Sequence, residues 1–281
     1  MSAYHLELQN GQSFDFPIVS AKDDISGTVK IRCPKGTRLE HTGVLIKLIG
    51  CVIDYKTGTD VTEFVNEEKD LEKPGVIMGK KSLKFAFKKV SKKYESYYGV
   101  NVRIRYYLRI EISKAFGPML TEEKDIWVLR KDKEPSSNRD IKMEVGIEDC
   151  LHIEFQYDKE KYHLGDVITG TIHFILARIK IKHMDIEIIQ KEYVGKGDKE
   201  VVESETIAKY EIMDGMPVRD EIIPVRFYLK PYELALTPTL NNVLKLFSVK
   251  YFINLVLVDM NDCRFFKQQE IILWRKSDGS E

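Results

Sequence analysis

Residues 25–31 read ISGTVKI, and 143 positions later residues 168–174 read ITGTIHF. Both stretches alternate apolar and polar side chains, the period of a strand with one buried face. The echo continues along the chain. LKFAF (83–87) matches VRFYL (225–229) at an offset of 142, and VRIRYYLRIEI (102–112) matches FSVKYFINLVL (247–257) at 145. Ile126-Trp127-Val128 matches Ile271-Ile272-Leu273, again at 145. Unrelated strands would not keep one spacing, so a module of roughly 140 residues occurs twice.

The same alternation recurs between these anchors, as in Ile46-Lys47-Leu48, Ile153-Glu154-Phe155 and Ile186-Glu187-Ile188. Gly, Asn, Asp and Pro turns separate the runs, and no segment sustains a helical apolar stripe over three turns. The fold class is all-β: two tandem immunoglobulin-like β-sandwich subdomains. The seam falls in RKDKEPSSNRD (130–140), which is charged, holds Pro and Ser, and has no apolar residue. The expected domains are therefore 1–134 and 135–281.

Composition narrows the function. Lys plus Arg and Asp plus Glu are both 44, so the net charge is zero and no global field is present to hold nucleic acid. Any basic surface must be local. The clearest is GKKSLKFAFKKVSKKYE (79–95), seven lysines against one acid. A solvated strand-and-turn face is the common explanation of such a run. The alternative is an anionic membrane facing Lys88, Lys89, Lys92 and Lys93. Cys33, Cys51, Cys150 and Cys263 are widely spaced, with no CxxC pair, and no Asn-x-Ser/Thr acceptor occurs. Both fit a reducing compartment. The first residues lack a signal peptide's apolar core, and no run reaches the ~18 apolar residues of a membrane span. The expected setting is the cytoplasm.

Residues for catalysis are missing. The six histidines show no HxxxH or HxH spacing, and GxSxG and GxxxxGK[ST] are absent. Cys150 and His152 could share one strand face, but two ligands do not make a zinc site. Glu148-Asp149 and Glu67-Glu68 are neighbours that a strand would point opposite ways. Gly195-Lys196-Gly197 opens no helix and reads as a hairpin loop. The expectation is no enzyme, no metal and no cofactor.

Longer strings are more specific. IKMEVGIEDCLHIEFQYDKEKYHLGDVITGTI (141–172), ETIAKYEIMDGMPV (205–218) and RFFKQQEIILWR (264–275) resemble the arrestin-like subunit of retromer, the vacuolar protein sorting 26 family. In the first half RLEHTGVLIKLIG (38–50), EFVNEEKDLEKPG (63–75) and YESYYGVNVRIRYYL (94–108) are similar to it as well. The likeness runs from about residue 6 to 276. It implies an arrestin-like fold, two β-sandwiches in a bi-lobed arrangement, and a non-catalytic coat subunit acting peripherally on the cytosolic face of endosomes. The implied partners are retromer's α-solenoid subunit (the vacuolar protein sorting 35 family), a sorting nexin and the cytosolic tails of transmembrane cargo. The work is retrieval from endosomes to the Golgi or plasma membrane.

The resemblance also implies sites. A loop matching YEIMDG, with Ile212, Met213, Asp214 and Gly215, would meet the solenoid. The segment matching MEVGIED, with Val145, Gly146 and Ile147, would take a cargo tail as an added strand, together with Phe266. Asp214-Gly215 is itself a turn signal, and Ile212, Met213 and Met216 around it are apolar where water is usual. Phe265 and Phe266 are adjacent, so a one-sided sheet can bury only one. The alternative is an arrestin-type trafficking adaptor acting outside retromer. Such adaptors usually carry PPxY recruitment motifs, and none occurs here.

Overall fold

The computed structural model describes residues 3–7, 13–56, 60–147, 149–195, 197, 200–233 and 235–277. The chain divides into two compact units, Met1–Arg130 and Lys131–Glu281. Apart from a single 3-10 turn at Lys230–Tyr232, the named elements are strands. No helix among the described residues is long and apolar enough to cross a membrane.

The first unit contains β1 (Ala3–Glu7), β2 (Ser13–Ser20), β3 (Ile25–Arg32), β4 (Arg38–Asp54), β5 (Asp60–Glu72), β6 (Gly75–Met78), β7 (Lys80–Phe87), β8 (Tyr97–Tyr98), β9 (Val102–Lys114) and β10 (Leu120–Leu129). One sheet runs β1-β2-β10-β9-β4-β5, with β6 on β4 and β8 on β9, while β3 and β7 form a second. Alternation explains the layers. Val44, Ile46 and Leu48 of β4 and Ile104 and Tyr106 of β9 are buried on one face. The cluster of Val44, Ile77 and Ile112 packs against Ile31 of β3 and Leu83 of β7, so the second sheet lies across the first. On β9's other face the arginines meet carboxylates of β10: Arg103–Asp125 at 2.7 Å, Arg105–Glu123 at 2.9 Å and Arg109–Glu123 at 2.8 Å. These cross-strand ion pairs account for the polar half of VRIRYYLRIEI.

The second unit contains β11 (Ile141–Ile147), β12 (Leu151–Tyr157), β13 (Lys161–His163), β14 (Val167–Ala177), β15 (Ile181–Val194), β16 (Val201–Asp214), β17 (Glu221–Tyr228), β18 (Leu240–Val243), β19 (Phe247–Asp259) and β20 (Arg264–Trp274). Its sheets run β11-β12-β14-β17 and β13-β20-β19-β15-β16, with β18 on β19. Asp132 already belongs here: its N–H donates to the Arg275 carbonyl at 2.8 Å, and its carbonyl accepts from Ser277 at 2.9 Å.

Duplication is visible in the ladders. β2 pairs parallel with β10 as β13 pairs parallel with β20, with Trp127 opposite Ile18 and Ile272 opposite Lys161. Tyr106 and Tyr251 hold the same place in β9 and β19 and are fully buried. Each hydroxyl ties down a preceding loop: Tyr106 donates to the Tyr94 carbonyl at 2.8 Å, and Tyr251 accepts from the Thr237 N–H at 3.0 Å. One match needs correction. The sequence echo sets Leu83 against Val225, but Phe87 lies opposite Ile25 and Phe227 lies opposite Ile168. The ladder offset is therefore two residues shorter there. An even slip leaves every side chain on its own face, which is why the pattern concealed it.

Candidate functional site

β11 is the outermost strand of its sheet, and among the described residues its only ladder partner is β12. Its pattern alternates, with Met143, Val145 and Ile147 half-buried and Lys142, Glu144 and Gly146 exposed. Val145 stands opposite Ile153 and Ile147 opposite Leu151. Across the sandwich, β20 sets Phe265 opposite Leu257 and Phe266 opposite Val256. Phe265 is half-buried, while Phe266 is 67% exposed. A cavity of about 170 Å³ opens between the sheets, lined by Val145, Ile147, Leu151, Ile153, Leu255, Leu257, Phe265, Phe266 and Lys267. Val145, Ile147 and Phe266 are thus brought together. Gly146 faces the other way, toward Glu144 and His152. The arrangement combines an unpaired strand edge with an apolar recess beside it, which suits main-chain pairing with one or two side-chain pockets.

The YEIMDG segment differs from the expected loop. Ile212, Met213 and Asp214 are the last residues of β16, and the turn starts only at Gly215, whose φ is 92°. A β-bulge sits inside the motif. Met184 pairs with Met213 and Asp185 with Glu211, leaving Ile212 as the extra residue. Consecutive residues on a regular strand face opposite ways; the bulge re-aims this pair, and both are half-buried. Asp185 anchors the bulge from beneath: it is buried, with Lys209 Nζ at 2.8 Å and His183 Nε2 at 3.5 Å. The more exposed apolar side chains are Tyr210, Met216 and Val218, at 58%, 56% and 67%. Tyr210 and Val218 are additions to the sequence-derived set. Both stand within the same motif, Tyr210 on β16 and Val218 beyond its end, and the motif string alone does not separate outward from inward residues.

The lysine segment also needs correction. Lys88, Lys89 and Lys93 are exposed, but Lys92 is buried. Its ammonium donates to the Asp23 carbonyl at 2.8 Å and the Val90 carbonyl at 3.2 Å, and burial holds its pKa below the ordinary lysine value. Lys92 belongs to the packing of the β2–β3 turn and cannot face a membrane. Lys93 lies over the Tyr94 ring, 5.1 Å from its centroid.

Metal and nucleophile chemistry find little support. Cys150 lies in the turn before β12 and His152 on β12 itself. His152 lies with Glu144 and Glu154, whose ligand atoms all fall within 4.8 Å of one another. His152 Nε2 is 3.6 Å from Glu144 on an open sheet face, the geometry of a surface ion pair, and a structural zinc would want a fourth ligand. Burial pushes the Cys51 thiol up to about 11, so it is no nucleophile at neutral pH. Glu148 and Lys196 lie outside the described residues.

Comparison with known proteins supplies the family. The family model described as "Vacuolar protein sorting-associated protein 26" matches residues 2–262. Vacuolar protein sorting-associated protein 26B-A of Xenopus laevis is 53% identical over 258 residues, covering 91% of this chain and 75% of the relative. The 26B protein of Homo sapiens is 51% identical over 257 residues, covering 91% and 76%. That of Arabidopsis thaliana is 48% identical over 276 residues, covering 98% and 90%.

Proposed function

The chain belongs to the vacuolar protein sorting-associated protein 26 family, a family of non-catalytic adaptors, and on that premise we propose that it is the arrestin-like subunit of a retromer coat. In this reading it binds the α-solenoid subunit through the end of β16 and, with a sorting nexin, receives cargo tails at β11 on the cytosolic face of endosomes. The observation that carries the cargo part is the recess of about 170 Å³ shared by Val145, Ile147 and Phe266 beside the unpaired edge of β11. An extended tail adds main-chain hydrogen bonds along the edge and seats a bulky apolar side chain in the recess. Phe266, largely exposed in the free protein, gains a partner.

The solenoid part is supported by the bulge at Ile212. It breaks the strand alternation at the half-buried Ile212 and Met213, which are continuous in sequence with the exposed Tyr210, Met216 and Val218. A branched aliphatic beside adaptable thioethers fills a groove between helices well. Lys88, Lys89 and Lys93 remain as cations for an anionic membrane, without Lys92.

Titration of a fluorescent cargo-tail peptide onto the assembled complex with a sorting nexin tests the cargo reading. Val145→Asn and Phe266→Asp should each weaken it by about tenfold or more, because each places a polar group against an apolar side chain. Solenoid binding should be unaffected. Unchanged peptide affinity in a folded double variant would move the cargo site elsewhere.

A further inference from the structure

The two units differ at one corresponding edge. In the second, β14 lies between β12 and β17; in the first, β3 corresponds to β14 but has β7 as its only ladder partner among the described residues. β1 and β2 precede β3 but pair with each other and with β10, and β2, by its parallel pairing, is the counterpart of β13 rather than of β12. Among the described residues, no strand fills beside β3 the position that β12 fills beside β14.

Burial records the difference. Ile172 and Phe174 of β14 are fully buried, flanked by Phe155 and Ile153 of β12. Their counterparts 143 positions earlier, Val29 and Ile31, are only half-buried. The inward face of β3 therefore keeps apolar surface that a further strand would cover.

Charge indicates what kind of strand. Lys30 and Arg32 of β3 and Lys80 and Lys84 of β7 are exposed, and neither strand contains Asp or Glu. Arg32 stands directly opposite Lys80, a like-charge cross-strand pair that destabilises the sheet unless an anion comes between. None of the four is in an ion pair with a carboxylate of the described residues.

We propose that the free edge of β3 receives an extended acidic segment of a partner protein by strand addition. Alternate apolar side chains of that segment cover Val29 and Ile31, and its carboxylates lie over Lys30 and Arg32. The proposal does not rest on the solenoid or cargo readings, whose residues all lie in the second unit.

A suitable probe is the peptide Leu-Glu-Ile-Glu-Phe-Glu-Tyr, the sequence of β12 with its His and Gln replaced by Glu. It should be added to the full chain carrying Phe266→Asp, so that β11 is handicapped as a competing edge. Hydrogen exchange across residues 25–32 should slow on peptide addition. Lys30→Glu/Arg32→Glu, exposed positions that leave the fold intact, should weaken peptide binding about tenfold or more, and a peptide with Lys in place of Glu should not bind. Unaltered exchange at 25–32, or equal affinity for the double variant, would overturn the proposal. So would sedimentation of the chain with phosphatidylserine vesicles, dependent on Lys30 and Arg32, without slowed exchange on peptide addition; that result would assign the cationic face to a membrane.

Discussion

Ile212 and Met213 are neighbours in sequence at a β-bulge, and both are half-buried. Their half-burial sets how a substitution there divides between folding and binding. Ile212→Asp with Met213→Asn should cost the free chain about 1–2 kcal/mol of stability, since some packing is lost. Against a helical groove the same change buries a charge and empties an apolar contact, costing roughly 2–4 kcal/mol, a loss of about 30- to 1,000-fold in affinity. Calorimetry with the solenoid's N-terminal part, beside melts of the free chain, separates these effects; intact affinity would place the solenoid elsewhere. A second residue governs pH response. Burial holds the pKa of His163 below 6.5, against the opposing pull of Asp166 and Glu233, and Arg275 and Lys276 lower it further. Its Nδ1 accepts the Gly165 N–H at 3.0 Å, a bond that a proton on Nδ1 removes. The unfolded chain therefore takes up the proton first, so stability is unaffected above about pH 6.5 and falls as acid carries the pH toward the folded value. Melts from pH 7.5 to 5 should show this slope in the wild type and a shallower one in His163→Gln; equal slopes would exclude His163 as the source.

Strands were legible because alternation is local, whereas the choice of partner strand is not. ISGTVKI and ITGTIHF predict two equivalent strands, and both form, as β3 and β14. Nothing in either stretch says that β12 joins β14 while β3 has, among the described residues, β7 as its sole ladder partner. The bulge in YEIMDG was hidden for the same reason: it is an event of register between β15 and β16, set by which residues of the partner strand they meet. Lys92 was misread because its carbonyl partner Asp23 is far away in sequence, and a lysine run carries no sign of which member turns inward. The matching glycines give the different neighbourhoods a measurable consequence. A Cβ on Gly170 would lie 2.3 Å from the Gln156 carbonyl oxygen of β12, a backbone atom that cannot move without breaking the ladder. At Gly27 it would meet the Phe85 ring at 2.8 Å, a side chain able to turn aside at a half-buried position. Gly170→Ala should therefore cost about 3 kcal/mol or more, and Gly27→Ala about 1 kcal/mol. Urea denaturation of the two variants would measure this, and equal losses would mean that β12 does not press on β14 as described.

At the scale of the whole molecule, the proposed function gives the two duplicated modules different tasks. Offsets of about 140 residues revealed two modules in the sequence, but motif strings alone assigned both the cargo and the solenoid contacts to the second. Geometry supplies a reason. The recess proposed for cargo is lined from both sheets of one sandwich, β11–β12 on one side and β19–β20 on the other, and all four strands lie in Lys131–Glu281. The bulge needs only β15 and β16, which lie there too. The core of this unit includes Ile153, Phe155, Ile172, Phe174, Ile186 and Ile253, all buried and all its own. A domain of about 150 residues buries roughly 70% of the surface its unfolded chain exposes, enough to fold without help. A chain of residues 131–281 should accordingly melt cooperatively and keep both affinities within about threefold of the full protein, less than 1 kcal/mol. Its vesicle binding should lack any contribution from Lys88, Lys89 and Lys93. Calorimetry with the solenoid, and peptide titration in the presence of the sorting nexin, would check the two sites separately. A fragment that melts cooperatively yet binds neither partner would show that the first unit completes the sites, and the division of labour between the modules would have to be redrawn.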